Sequence, residues 1–447
     1  MSISSRIPTP HKDKRRIFRG ALYLGIDLGT TGCRAIVIDA GGGVQAQMAT
    51  PLPTPLRRGV EVEQDPHIWW QAVKSTLRDV LAKVPSRQIR AIAVDGTSST
   101  LLLTDDRGEP LGPALMYNDA RSQCAAASIA EVAPPTTAAH GASSGLAKLL
   151  TLQAHPSAAT RHTLSPADWI TGKLRGRYGV SDEHNCLKLG YDILERRWPA
   201  WLDRLGVRRD WLPEVVPAGA PLGTISAAIA REFNLAADTR LVAGTTDATA
   251  AFIATGASAP GEAVTSLGST LVVKVLSEKP IFAPEYGVYS HRLGDLWLAG
   301  GGSNSGGAVL LHYFTPRQMA GMTPLLKPDQ PTGLDYYPLP APGERFPIND
   351  ATLPPRVTPR PADDILFFQG LLEGIARIEQ RGYQLLASLG APYPTSIRSV
   401  GGGAVNEAWT EIRKRLLNTA MTTPAQSEAA YGAALLALRG AQQARTP

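Results

Sequence analysis

Two stretches of the chain carry the same succession of apolar and small polar positions. Ala21 to Ile26 and Arg34 to Ile38 read as buried strands, and Gly25-Ile26-Asp27-Leu28-Gly29-Thr30-Thr31-Gly32 between them predicts a hairpin rather than a strand-to-helix turn. His67 to Val84 follows with Trp69, Trp70, Val73, Leu77, Val80, Leu81 and Val84 at helical spacing, then strand-like Ile89 to Val94 and the polar turn Asp95-Gly96-Thr97-Ser98. The second stretch repeats this order. Ala263 to Val273 reads as strand, turn, strand around Gly268-Ser269-Thr270. Phe368, Leu371, Leu372, Ile375, Ile378, Leu385, Leu386 and Leu389 form a helical stripe, followed by a strand at Ile397 to Val400 and by Gly401-Gly402-Gly403. Hairpin, helix, strand, glycine loop, twice over, predicts an α/β chain of two similar domains whose hairpins face one cleft.

Between the halves, Ile225 to Phe233 reads as a helix with turn-forming Asn234 and Asp238 behind it, which places the domain junction near 238. The expected organisation is a tail at 1–20, a first domain at 21–238 and a second at 239–440. Leu241 to Gly244 reads as a short strand and Ala248 to Ala254 as an apolar helix, so Asp247 falls at a helix N-terminus. The proline-rich segment from Thr323 to Pro361 predicts a long irregular excursion.

Composition changes this picture little. A chain of 447 residues supports two or three domains, and no apolar run is long enough for a bilayer span. The net charge of +6 suggests a nucleic-acid partner until its location is read. Arg6, Lys12, Lys14, Arg15, Arg16 and Arg19 face only Asp13 within the first twenty residues, so the tail holds most of the excess and the body is nearly neutral. The expectation is a protein with neither nucleic-acid nor membrane partner, a monomer or homodimer. Cys33, Cys124 and Cys186 are odd in number and far apart, which fits a reducing cytoplasm better than a disulfide framework.

The candidate chemistry lies in the polar turns. Glycines at a bend let backbone N–H groups converge on an anion, and Thr30 and Thr31 add hydroxyl donors. A carboxylate at Asp27 would repel a phosphate unless a cation stood between them, so the hairpin predicts a nucleotide phosphate with Mg²⁺ held by Asp27; the plainer alternative is an ordinary turn. Asp247 is a helix cap by residue type, and a general base for an attacking hydroxyl if it faces the cleft. The small hydroxyls near Ser98 leave room for a polyol, and the bare backbone at Gly402 and Gly403 suits a flat adenine ring.

Together these motifs resemble the FGGY carbohydrate kinases of the actin-like ATPase superfamily. The resemblance runs through Asp27 to Gly32, Tyr117-Asn118-Asp119 with Arg121, Asp168-Trp169-Ile170, Gly244-Thr245-Thr246-Asp247, Gly268-Ser269-Thr270, Gly343-Glu344-Arg345, Gly370 to Ile375, and Gly401-Gly402-Gly403 with Asn406. It implies two actin-like (ribonuclease H-like) domains around a nucleotide and sugar cleft, with ATP and Mg²⁺ as cofactors. It assigns phosphate binding to Thr30, Thr31, Gly32, Gly268, Ser269 and Thr270, and adenine contacts to Gly402, Gly403 and Asn406. The sugar falls to Asp27, Ser98 and Asp247, with Asp247 as catalytic base. The chain departs from typical xylulokinases, which carry a Gly-Gln-Met-His-Gly type segment in place of Asp95-Gly96-Thr97-Ser98-Ser99, and Lys148 lacks the tryptophan expected three residues later. Asp95 to Ser98, Thr265 to Thr270 and Leu334 to Pro340 instead resemble a compact branch that phosphorylates D-ribulose at its C5 hydroxyl. The alternatives are D-xylulose or another ketopentose or polyol and, in a different class, a non-catalytic chaperone- or actin-like ATPase.

Overall fold

The computed structural model describes residues 20–443; the basic tail lies outside the described residues except for Gly20. The first sheet contains β1 (Leu22–Leu28), β2 (Gly32–Asp39), β3 (Val44–Pro51), β4 (Ile89–Gly96), β5 (Pro221–Thr224) and β6 (Arg240–Thr246), in the order β5-β6-β4-β1-β2-β3. The second contains β7 (Glu262–Leu267), β8 (Leu271–Ser277), β9 (Tyr289–Leu293), β10 (Leu296–Ser303), β11 (Ser396–Val400) and β12 (Ala420–Thr422), in the order β9-β10-β8-β7-β11-β12. In each, an antiparallel hairpin (β1–β2, β7–β8) is flanked by a parallel strand from later in the chain (β4, β11). The duplicated pattern seen in the sequence is therefore a duplicated sheet.

β1 is buried at every position, as a central strand covered on both faces must be. Its period of two divides the load. Leu22, Leu24, Ile26 and Leu28 meet Trp69, Val73, Leu77 and Val80 of α1 (Pro66–Leu81), which Asp65 caps by accepting from the His67 N–H at 2.9 Å. On the opposite face Tyr23 joins a cluster built largely by the chain's last described helix. Gly25 lies beneath that helix: a Cβ there would stand 2.0 Å from the Ala430 carbonyl oxygen. Only a residue without a side chain lets backbone meet backbone so closely.

The remaining helices needed below are α2 (Gly145–Gln153), α3 (Glu183–Leu187), α4 (Asp247–Ala254), α5 (Asp364–Ser388), α6 (Glu407–Leu417) and α7 (Ala429–Gln443). Two expectations about organisation are corrected by the strand pairing. β6 lies beside β4, with Leu241 opposite Ile92, so residues 239–254 belong to the first sheet rather than opening the second domain. The crossover falls between α4 and β7, after 254. Nor does the second half keep all of its residues: α7 returns to the first sheet, where Ala430, Ala433, Ala434 and Ala437 pack against Tyr23, Ala91, Ala93 and Val242. A sequence reading that divides the chain once cannot see an element that crosses back. The segment expected to be irregular, Thr323 to Pro361, opens on a 3-10 turn at Thr323–Leu325 and beyond it holds no helix or strand of regular length. Among the described residues no helix is long and apolar enough to cross a membrane.

Candidate active site

Three adjacent parallel strands of the first sheet end at the same edge, and each delivers an aspartate. Asp27 near the end of β1 is registered against Asp95 of β4, Asp95 against Thr245 of β6, and Asp247 opens α4 one residue past β6. Asp95 is fully buried, and neither of its oxygens meets a hydrogen-bond partner. Burial, and next the charge of Asp27, hold the Asp95 carboxyl well above the ordinary range. Asp27 also titrates high because of burial, moderated by Asp95 and by Arg34, whose Nη1 donates to it at 3.2 Å. Arg34 lies directly across the hairpin from Asp27.

Asp247 accepts from the N–H of Ala248 at 2.6 Å, so its carboxylate is oriented by the first turn of α4. Burial lifts its pKa to about 6, with the charge of Asp27 adding to the rise and Lys274 and Lys188 opposing it. That combination keeps the carboxylate ionised at neutral pH but more basic than an exposed one, as a proton acceptor requires.

Ser98 follows β4 and is half-buried on this edge, beside Thr97, whose hydroxyl shares a hydrogen bond with Thr100 at 2.7 Å. The next residue, Ser99, adopts φ of 63°, a conformation that costs a non-glycine residue on the order of 1 kcal/mol. The carbonyl of Ser99 is held by Lys148 of α2. Its buried ammonium donates to the carbonyls of Ser99 at 2.7 Å, Ser143 at 2.9 Å and Tyr117 at 3.3 Å, tying three loops together. Burial pushes this lysine down to about 7. Asp119, two residues past Tyr117, is buried and paired with Arg121 at 2.7 Å.

The second lobe offers hydroxyls and bare backbone. Ser269 and Thr270 are exposed at the tip of the β7–β8 hairpin, as Thr31 is at the β1–β2 tip, with Thr30 half-buried beside it. The tip is pinned from behind, since Gly307 and Ala308 donate to the carbonyls of Gly268 at 2.8 Å and Ser269 at 3.1 Å. Gly401, at φ of 87°, approaches so closely that a Cβ would lie 2.9 Å from the Leu267 carbonyl. The Gly401–Gly403 loop and the second hairpin are thus one surface, with Gly402 exposed on it. Asn406 uses its side-chain oxygen to cap α6 through the Trp409 N–H at 2.9 Å and its amide to reach Thr323, so it shapes this loop as well as bordering it. Beneath, Glu379 and Arg413 form a fully buried pair at 2.6 Å that also holds Thr265 and Ser399 on the two strands leading to these loops.

Sequence reasoning missed His184 and His291, which show no motif in the chain. His184 bonds Thr245 at 2.7 Å and the Arg292 carbonyl at 2.6 Å, bridging the lobes, and its ring lies 5.3 Å from His291. Lys274 was missed as well, although a lysine in an apolar strand such as β8 is a signal that was available.

With this geometry in place, comparison with known proteins defines the class. Residues 22–254 match the N-terminal domain of the FGGY family of carbohydrate kinases and residues 263–441 its C-terminal domain. The chain belongs to the FGGY carbohydrate kinase family, with the actin-like two-domain α/β fold that the sequence resemblance implied. It is 25% identical over 417 residues to a xylulose kinase of Escherichia coli, covering 88% of this chain and 84% of the relative. It is 27% identical over 456 residues to a xylulose kinase of Streptomyces rubiginosus, covering 95% and 88%. A crystal structure titled as a xyloylose kinase from Brucella ovis superimposes with a TM-score of 0.85 at 27% identity, over 94% of this chain and 91% of that one.

Proposed function

We propose that the protein transfers the γ-phosphoryl group of ATP to the terminal C5 hydroxyl of a ketopentose. One observation carries this reading: the aspartate at the start of α4, lifted to about 6, shares a sheet edge with the buried Asp27–Asp95 pair and the hydroxyl-rich turn at Ser98. Asp247 orients the acceptor hydroxyl and takes its proton as the new P–O bond forms. Thr30, Thr31 and the N–H of Gly32 hold phosphate oxygens from one lobe, and Gly268, Ser269 and Thr270 from the other. Gly402, Gly403 and Asn406 border the adenine. Lys148 holds the sugar-side loops in place, and closure of the lobes excludes water that would otherwise hydrolyse ATP.

Mg²⁺ fits the donor set. Among the described residues no group of three or more His, Cys, Asp or Glu forms a metal cage. Mg²⁺ asks for less: one or two carboxylates, with water and phosphate supplying the rest. Two buried carboxylates on neighbouring strands, both held above their ordinary range by burial, are a pair that such a cation relieves. Asp27 would hold the ion, with Asp95 behind it, and the ion would neutralise charge on the transferring phosphate.

Two acceptors have specific support. The curated relatives are named xylulose kinase, which favours D-xylulose. The Asp95 to Ser98 turn, where xylulokinases differ, favours D-ribulose. ADP release measured across D-ribulose, D-xylulose, other ketopentoses and polyols decides between them by kcat/KM. Turnover of no ketopentose above the no-sugar rate sinks the reading. Replacing Ser98 by a bulky residue is expected to raise the KM for sugar more than that for ATP; an unchanged sugar dependence removes Ser98 from the pocket.

A further inference from the structure

Two cations, Lys274 and Arg345, share a cavity of the second lobe near Asp247, Lys188 of the first lobe reaches its Tyr289, and none of the three forms an ion pair among the described residues. Lys274 of β8 donates to the Ala248 carbonyl at 2.7 Å, one residue past the catalytic aspartate. Arg345 donates through Nε to the Gly302 carbonyl at 2.7 Å, and Lys188 at the end of α3 stands 5.7 Å from the centre of the Tyr289 ring. Lys274, Arg345, Tyr289 and His291 line a cavity of about 260 Å³ whose wall is otherwise formed partly by Gly300, Gly301 and Gly302. His291 adds no charge, because burial and then the neighbouring His184, Lys274 and Lys188 hold it well below its ordinary value. Burial lowers Lys274 to about 8, with Asp247 opposing and Lys188 adding to the fall, so it remains mainly protonated at neutral pH.

We propose that this cavity is an oxyanion subsite beside Asp247 that takes the phosphate of the phosphorylated sugar. The assignment rests on the kinase reading above and deepens it. A neutral ketose gives such a cluster nothing to neutralise, whereas transfer places a phosphate on the oxygen that Asp247 orients. Two cations without an ion-pair partner on one cavity wall offer an arriving anion a site of opposite charge. Side-chain-free backbone on the cavity wall leaves space for a tetrahedral group.

Calorimetric titration of the full chain without nucleotide tests this, with D-ribulose 5-phosphate, inorganic phosphate, D-ribulose and D-gluconate as probes. Lys274→Met and Arg345→Met are expected each to weaken sugar-phosphate binding at least tenfold while leaving neutral sugar within twofold; Lys274→Arg, which keeps the charge, should retain most of the affinity. Inorganic phosphate should show the same dependence on Lys274 even if no ketose is ever turned over, so failure of the kinase reading and failure of the subsite are separate results. Equal affinity of wild type and both methionine variants for the two phosphates overturns the proposal. A Lys274-dependent affinity for D-gluconate exceeding that for the sugar phosphate also overturns it, in favour of a carboxylate site.

Discussion

The two sheets are copies in topology and opposites in chemistry. Counting back from the hairpin tips, Asp27 of β1 corresponds to Ser266 of β7, Arg34 of β2 to Val272 of β8, and Asp95 of β4 to Val400 of β11. The first lobe thus puts charge at the strand ends, while the second puts a hydroxyl and apolar residues there. Its fully buried ion pair, Glu379 with Arg413, lies behind the loops. Duplication supplies the scaffold, and the proposed reaction is assigned to the edge that carries carboxylates.

The largest break in this comparison is expected from Asp247→Ala, which removes a reacting group. Loss of a general base lowers kcat by about 10² to 10⁴, while ATP affinity measured by titration should stay within twofold. A fully active variant contradicts the assignment of the reactive edge. On the other lobe, Glu379→Ala leaves Arg413 buried and unpaired, which costs about 3–5 kcal/mol in denaturant unfolding. Activity per folded molecule should survive better there than in Asp247→Ala, since Glu379 acts by holding strands.

Gly25→Ala tests the packing that backs the reactive edge. The new methyl meets the Ala430 backbone, and an overpacked contact of this kind costs about 1–3 kcal/mol, read as a lowered Tm. Lys148→Met should raise the KM for sugar about tenfold, a change worth about 1.4 kcal/mol, with the KM for ATP nearly unchanged. An equal rise in both would mean that the loops it ties serve the nucleotide instead. The smallest effect is in pH. Because the Asp247 pKa is raised to about 6, its ionised form prevails above that value, so kcat should fall as pH drops from 7 to 5. A profile that stays flat to pH 4 would indicate an unperturbed carboxylate and a different base.

Much of the scaffold was legible from period alone. The helix expected from His67 to Val84 forms at Pro66–Leu81, and the stripe beginning at Phe368 lies within Asp364–Ser388. Asp247 begins its helix as expected, because Thr-Asp before an apolar run is a helix-start signal, although Gly244 to Thr246 continue β6 rather than turning. What escaped notice depends on partners distant in sequence. β6 looked like the opening of a new domain, since nothing local says which neighbour a parallel strand will choose. His184 and His291 carry meaning only once the lobes meet. Lys148 was named only as a family-signature lysine without its tryptophan, and its three acceptors are backbone carbonyls that leave no mark in side-chain pattern.

The return of α7 to the first sheet gives the molecule an order of completion. Tyr431 donates to the Gly42 carbonyl across 389 residues of chain, and the Tyr23 face of the opening strand stays uncovered until that helix exists. The lobe translated first is therefore the one finished last. A ribosome-bound nascent chain would expose an apolar sheet throughout synthesis of the second lobe, and its β1–β2 hairpin would set firmly only after the alanine-rich helix had emerged.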